Sequence, residues 1–138
     1  MSVGIKVGNI IDEIGTPDFF YSFFCSICGN LEPNGWGSKF PTIMNKLYQG
    51  NVESAQAQNA LNELYQIQSE LTLIPPENVI WDIENKSKQP PWGNNISPEI
   101  TSMANYYVTS TGRDLISTLI EAFDDAVSNN QPATITDC

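Results

Sequence analysis

Cys25 and Cys28 stand at the Cys-x-x-Cys spacing that redox and zinc sites use. Zinc would need two further nitrogen or sulfur ligands, and the chain has a third cysteine, Cys138, and no histidine. A redox pair sits at a helix N-terminus, where the dipole supports the thiolate. Here the pair closes a phenylalanine-rich helical run just before Gly29, so both thiols are expected to be small, buried core residues. The missing histidine also removes the commonest general base and the usual partner of a nucleophilic serine or cysteine. Carboxylate chemistry is what remains. Asp82 and Glu84, two apart on an alternating run, are the first candidates for a carboxylate-dependent hydrolase, an alternative reading. Any strand places i and i+2 on one face, however, and nothing else in the chain marks a cleft. No catalytic residue, cofactor or metal ligand is assigned, and an enzyme is not the expectation.

The acids point elsewhere. Sixteen Asp and Glu face six Lys and Arg, a net charge of −10 over 138 residues. Such a surface repels phosphates and attracts cationic proteins, which disfavours nucleic acid and anionic membranes and favours a basic protein partner. Residues 1–50 hold four acids and three bases, whereas residues 51–85 hold six acids and no base. No apolar run reaches the length of a membrane span, and the opening Met-Ser-Val-Gly-Ile-Lys lacks the features of a secretory signal, so a cytoplasmic protein is expected. A generic acidic adaptor for some basic protein is a further alternative.

The elements that must carry these residues follow from periodicity. Val3, Ile5 and Val7 alternate as a half-buried strand running toward Ile10 and Ile11. Thr16-Pro17-Asp18 is a helix start, with Phe19 to Ile27 as the helix and Gly29 as its stop. Residues 30–37 read as a loop. Pro41 opens a second helix with Ile43, Met44, Leu47 and Tyr48 inward and Gly50 at its end. Asn51 is the expected cap of a longer helix that ends before Pro75-Pro76. Asn78 to Glu84 reads as a strand with Trp81 in the core, residues 86–97 as a loop, Ser97-Pro98-Glu99 as a short helix start, and Tyr106-Tyr107-Val108 as a third strand. Thr111 with Asp114 forms a capping pair for a last helix whose apolar face is Ile116, Leu119, Ile120, Phe123, Ala126 and Val127. Residues 129–138 are expected to be a frayed tail. The fold class is α+β, a single domain over 1–138: a small, about three-stranded, mostly antiparallel sheet packed with four or five helices.

At about 100° per residue, Asp114, Glu121 and Asp125 fall in one stripe of the last helix, and Asp124 with Asp125 opposes the macrodipole at its C-terminal end. The long central helix carries Glu53, Glu63 and Glu70 with no cation of its own. Trp36 and Trp92 lie between turn residues, where tryptophan either folds back on the core or stands as an interface anchor. Asp114, Glu121, Asp124, Asp125, Glu63, Glu70, Trp36 and Trp92 are therefore the candidate partner-binding residues.

The runs Thr16-Pro17-Asp18-Phe19-Phe20-Tyr21-Ser22-Phe23-Phe24, Asn34-Gly35-Trp36-Gly37-Ser38-Lys39-Phe40-Pro41, Val79-Ile80-Trp81-Asp82-Ile83, Pro90-Pro91-Trp92-Gly93 and Thr109-Ser110-Thr111-Gly112-Arg113-Asp114-Leu115 occur in this order. Together they resemble the immunity protein 70 family of bacterial polymorphic toxin systems, across nearly the whole chain. The resemblance implies a small antidote without catalysis that binds and neutralises a cognate toxin C-terminal domain. Many toxin domains that act on nucleic acid are basic, a nuclease among the candidates, and an acidic antidote would occlude such a surface.

Overall fold

The computed structural model describes residues 2–93 and 95–138. Val3–Val7 (β1) and Ile10–Gly15 (β2) form an antiparallel hairpin, so the expected opening strand is two strands. The reversal falls at Gly8, whose φ of 61° suits a tight hairpin turn that a side-chain-bearing residue would strain. Asn51–Val52 (β3) and Ala133–Asp137 (β4) complete a four-stranded sheet of order β2-β1-β4-β3, antiparallel throughout. The expected frayed tail is thus a central strand. Residues 133–137 lie between β1 and β3, and Ile135 faces Ile5 across the ladder.

Of three long helices, the first and third pack against the sheet and the second packs on the third. Pro17–Leu31 (α1) starts where Thr16 accepts a hydrogen bond from the Phe19 N–H, but it runs through Gly29 instead of stopping there. Gly29 serves a different purpose: a Cβ at that position would meet Ile80 Cδ1 at 2.1 Å, so the missing side chain lets the 78–84 segment lie against the helix. Ala57–Leu71 (α2) buries Ala60, Leu61, Leu64, Ile67 and Leu71, the period expected of it. Its start is later than Asn51, because residues 51–52 pair with β4 and Ser54–Gln56 form a short 3-10 turn. Leu115–Asn129 (α3) is capped by Asp114 itself, whose carboxylate accepts from the Ser117 N–H, while the Thr111 hydroxyl bonds to that of Thr109. It packs on α2 and on β1, with Ile116, Leu119, Phe123 and Ala126 fully buried; Val127, assigned to that face, is 37% exposed.

The expected second helix is wound as a π-helix over Thr42–Leu47. The Tyr48 N–H reaches back five residues to the Ile43 carbonyl, and the Met44 carbonyl, its α-helical acceptor, is taken by the Trp36 indole N–H at 2.8 Å. Ile43, Met44 and Leu47 are buried as expected; Tyr48 is exposed.

Two expected strands are absent. Asn78 to Glu84 is irregular because its backbone is satisfied by side chains of α1 and not by a neighbouring strand. The Ile80 N–H donates to the Ser26 hydroxyl at 2.9 Å, and the Ile80 carbonyl accepts from the Ser22 hydroxyl at 2.9 Å. The Tyr107 hydroxyl lies 2.8 Å from the Ser22 oxygen and 2.6 Å from that of Ser26 and donates to the Ser22 carbonyl, so the three buried hydroxyls join α1 to both irregular segments. Tyr106 and Tyr107 are core residues, and only an isolated bridge pairs Val108 with Asp114. Ser97-Pro98-Glu99 makes a turn, and the nearby capped element is the 3-10 turn Met103–Asn105, boxed by Ser102 and Asn105. The loop expected over 86–97 is irregular where described; its Asn94 lies outside the described residues. The class expected from sequence, a small single-domain α+β fold, is the one found, with four strands in place of about three.

Candidate partner-binding surface

Five of the eight candidate residues hold the fold together. Glu63, on α2, accepts the N–H groups of Thr42 and Ile43 at 3.2 and 2.8 Å, capping the π-helix from across the chain. Glu70, nearly two turns on, pairs with Lys39 and accepts from Gln66. Partial burial opposes its charge, but the Lys39 and Gln66 hydrogen bonds outweigh that and hold its carboxyl below the ordinary value. α2 therefore borrows a cation from the preceding loop, which sequence distance conceals. Asp114 caps α3 through the Ser117 N–H at 3.1 Å and its hydroxyl at 2.7 Å. Glu121 is joined to Arg113, which also reaches Asp12 of β2 at 3.1 Å, so the acidic stripe is partly neutralised by a residue just before the helix. Trp36 is half-buried, spends its N–H on Met44, and packs against Tyr21, Phe24 and Tyr48.

Asp124, Asp125 and Trp92 are left with exposed surface. The side chains of Asp124 and Asp125 make no hydrogen bond or ion pair among the described residues, and no basic residue occupies the last turn of α3. Both carboxylates therefore add to the negative end of the helix dipole, an arrangement that a cationic partner would relieve. Asp125 borders a shallow groove with Asn129, Gln131 and the hairpin residues Val7, Gly8, Asn9 and Ile10; Ile10 is 58% exposed.

Trp92 is 42% exposed and tied to the core by two contacts. Its indole N–H donates to the Tyr106 hydroxyl at 2.8 Å, and its ring meets that of Trp81 edge to face at 5.6 Å. Trp81 is core, as expected. Trp36 and Trp92 end up at opposite ends of one aromatic chain that runs Trp36, Phe24, Phe23, Tyr107, Tyr106, Trp92. The two tryptophan candidates are thus separated by the aromatic core.

Other expected chemistry changes with the fold. Cys25 and Cys28 are buried free thiols, and burial pushes both upward from the ordinary thiol value, keeping them protonated. Asp82 and Glu84 do not share a strand face: the Asp82 carboxylate accepts the Glu84 N–H in a local turn, which removes the geometric basis of the hydrolase reading. One residue of consequence escaped sequence reasoning. Glu32 is 3% exposed and accepts the N–H groups of Gly37, Lys39 and Phe40, each at 3.0 Å, ordering the whole 33–40 loop. Its only sequence signal is an acid placed before a Pro-Asn-Gly turn.

No helix of the described residues is long and apolar enough to cross a membrane. No curated protein and no solved structure matches the chain. The family model described as Immunity protein 70 matches residues 5–135, from the first strand to the last. A match of that span, over a fold whose N- and C-terminal strands are neighbours, places this chain in the immunity protein 70 family.

Proposed function

We propose that this protein neutralises a cognate toxin domain by binding it in the cytoplasm and occluding its working surface, without catalysis of its own. The family match over residues 5–135 carries this reading. Charge supports the kind of partner: a chain at −10, with Asp124 and Asp125 unpaired among the described residues at the negative end of α3, is steered toward a basic protein surface, such as that of a domain acting on nucleic acid. Glu63, Glu70 and Asp114 contribute to this field while serving as structural groups. Glu121 and Trp36 are secondary to the free acids for the same reason.

Coexpression with the toxin domain encoded beside it tests the reading directly. A stable one-to-one complex and rescue of growth are expected; an active toxin that neither copurifies with the wild-type chain nor loses toxicity would overturn it. Within that complex, the double variant Asp124→Lys and Asp125→Lys should stay folded and weaken binding about tenfold, chiefly through slower association that high salt mimics. Unchanged affinity would remove the end of α3 from the interface and leave the immunity reading standing.

A further inference from the structure

The second exposed surface is apolar. Two clefts of about 250 and 240 Å³ flank Trp92, and Phe19 and Val108 line both of them. Ile96, Ile100 and Tyr106 close the first, while Ile14, Trp81 and Pro91 help to close the second. Each lies below the roughly 300 Å³ at which small-molecule sites begin, which suits an inserted side chain better than a metabolite. Val108 is 47% exposed and Trp92 42%, so an apolar ridge stands between two apolar hollows at the surface.

Three observations make this ridge a docking element. Trp92 is tied to the Tyr106 hydroxyl and packed on the Trp81 ring, contacts that reduce the freedom it has left to lose on binding. Its floor is the core itself, through Phe19, Trp81 and Tyr106, all buried. Among the described residues no basic residue lines either cleft, and the exposed acids Asp18 and Glu99 are chain neighbours of the lining residues Phe19 and Ile100. An apolar centre on a chain of net charge −10 is complementary to an apolar side chain carried on a basic surface.

Resting on the immunity reading, we infer that the Trp92–Val108 ridge is the apolar anchor of the toxin interface, and that its occupant is an aliphatic or aromatic side chain presented on a basic loop of the cognate toxin domain. The anchor supplies affinity, and the acids around it supply register and approach rate.

The test uses the full chain and the purified toxin domain, with affinity measured by calorimetry and folding by circular dichroism. Trp92→Ala and Val108→Arg should each weaken the complex about tenfold or more, whereas Trp92→Phe keeps most of the affinity. Val108→Arg alters an exposed side chain, so it decides the matter if Trp92→Ala unfolds. Folded variants that bind within about twofold of wild type would overturn the anchor while leaving the immunity reading intact. Failure of the wild-type chain to bind the toxin domain would overturn both. Concentration-dependent dimers abolished by Val108→Arg would also overturn it, by assigning the ridge to a second copy of this chain.

Discussion

At Glu32, a carboxylate at 3% exposure survives burial because three backbone N–H groups converge on it. Glu32→Gln keeps the shape but loses the charge and replaces one acceptor oxygen with a donor, which faces N–H groups that have no other partner. We expect a loss of about 2–4 kcal/mol in urea unfolding, with toxin affinity lowered only in step with the folded fraction. The same logic sorts the acids of the surface. Glu63 spends both oxygens and Asp114 its Oδ2 on helix ends, and Glu121 one oxygen on Arg113, whereas Asp124 and Asp125 keep theirs unbonded among the described residues. Residue type alone does not separate these roles, because the sorting depends on which backbone donors arrive from elsewhere in the chain.

Among the elements, β4 has the largest consequence for its size. It pairs with β1 on one side and β3 on the other, so a chain truncated after Asn130 would leave two strands with open edges and expose Ile5 and Val7. Such a truncation is expected to abolish the cooperative unfolding transition, as read by thermal circular dichroism; a sharp transition near that of the full chain would show the helices to be self-sufficient. α1 plays a comparable part through its buried Ser22 and Ser26, which replace a sheet neighbour for residues 78–84. A sequence rule for strands reads Val79, Trp81 and Ile83 as alternating, and that period is present; the missing quantity is a partner strand.

For the whole molecule, the buried hydroxyl and thiols set the alkaline limit. Burial raises the Tyr107 hydroxyl above its ordinary value of 10.0, against the lowering effect of Ser22 and Ser26, and burial raises Cys25 above its ordinary 9.0. The folded state therefore holds protons that the unfolded chain releases. Stability is full below those ordinary values and declines as pH rises through them, by at most about 1.4 kcal/mol per pH unit for each group. Denaturant midpoints are expected to be flat from about pH 7 to pH 8.5 and to fall steadily toward pH 11. A midpoint unchanged at the alkaline end would mean that these groups are reached by solvent in the folded state.

The sequence by itself determined the local features: the cap at Thr16, the buried faces of α2 and α3, Trp81 in the core, the α+β class and the family, all of which rest on residue type at fixed spacing. Only the tertiary structure decided where the polar groups went. The end of the chain became a central strand, the Tyr107 and Ile80 segments were tied to α1, Trp36 was drawn inward to the Met44 carbonyl, and Trp92 was left on the surface. Each of those outcomes is a hydrogen bond or packing contact between elements that no single sequence period spans. A period along the chain records which face is apolar, but not what that face will meet.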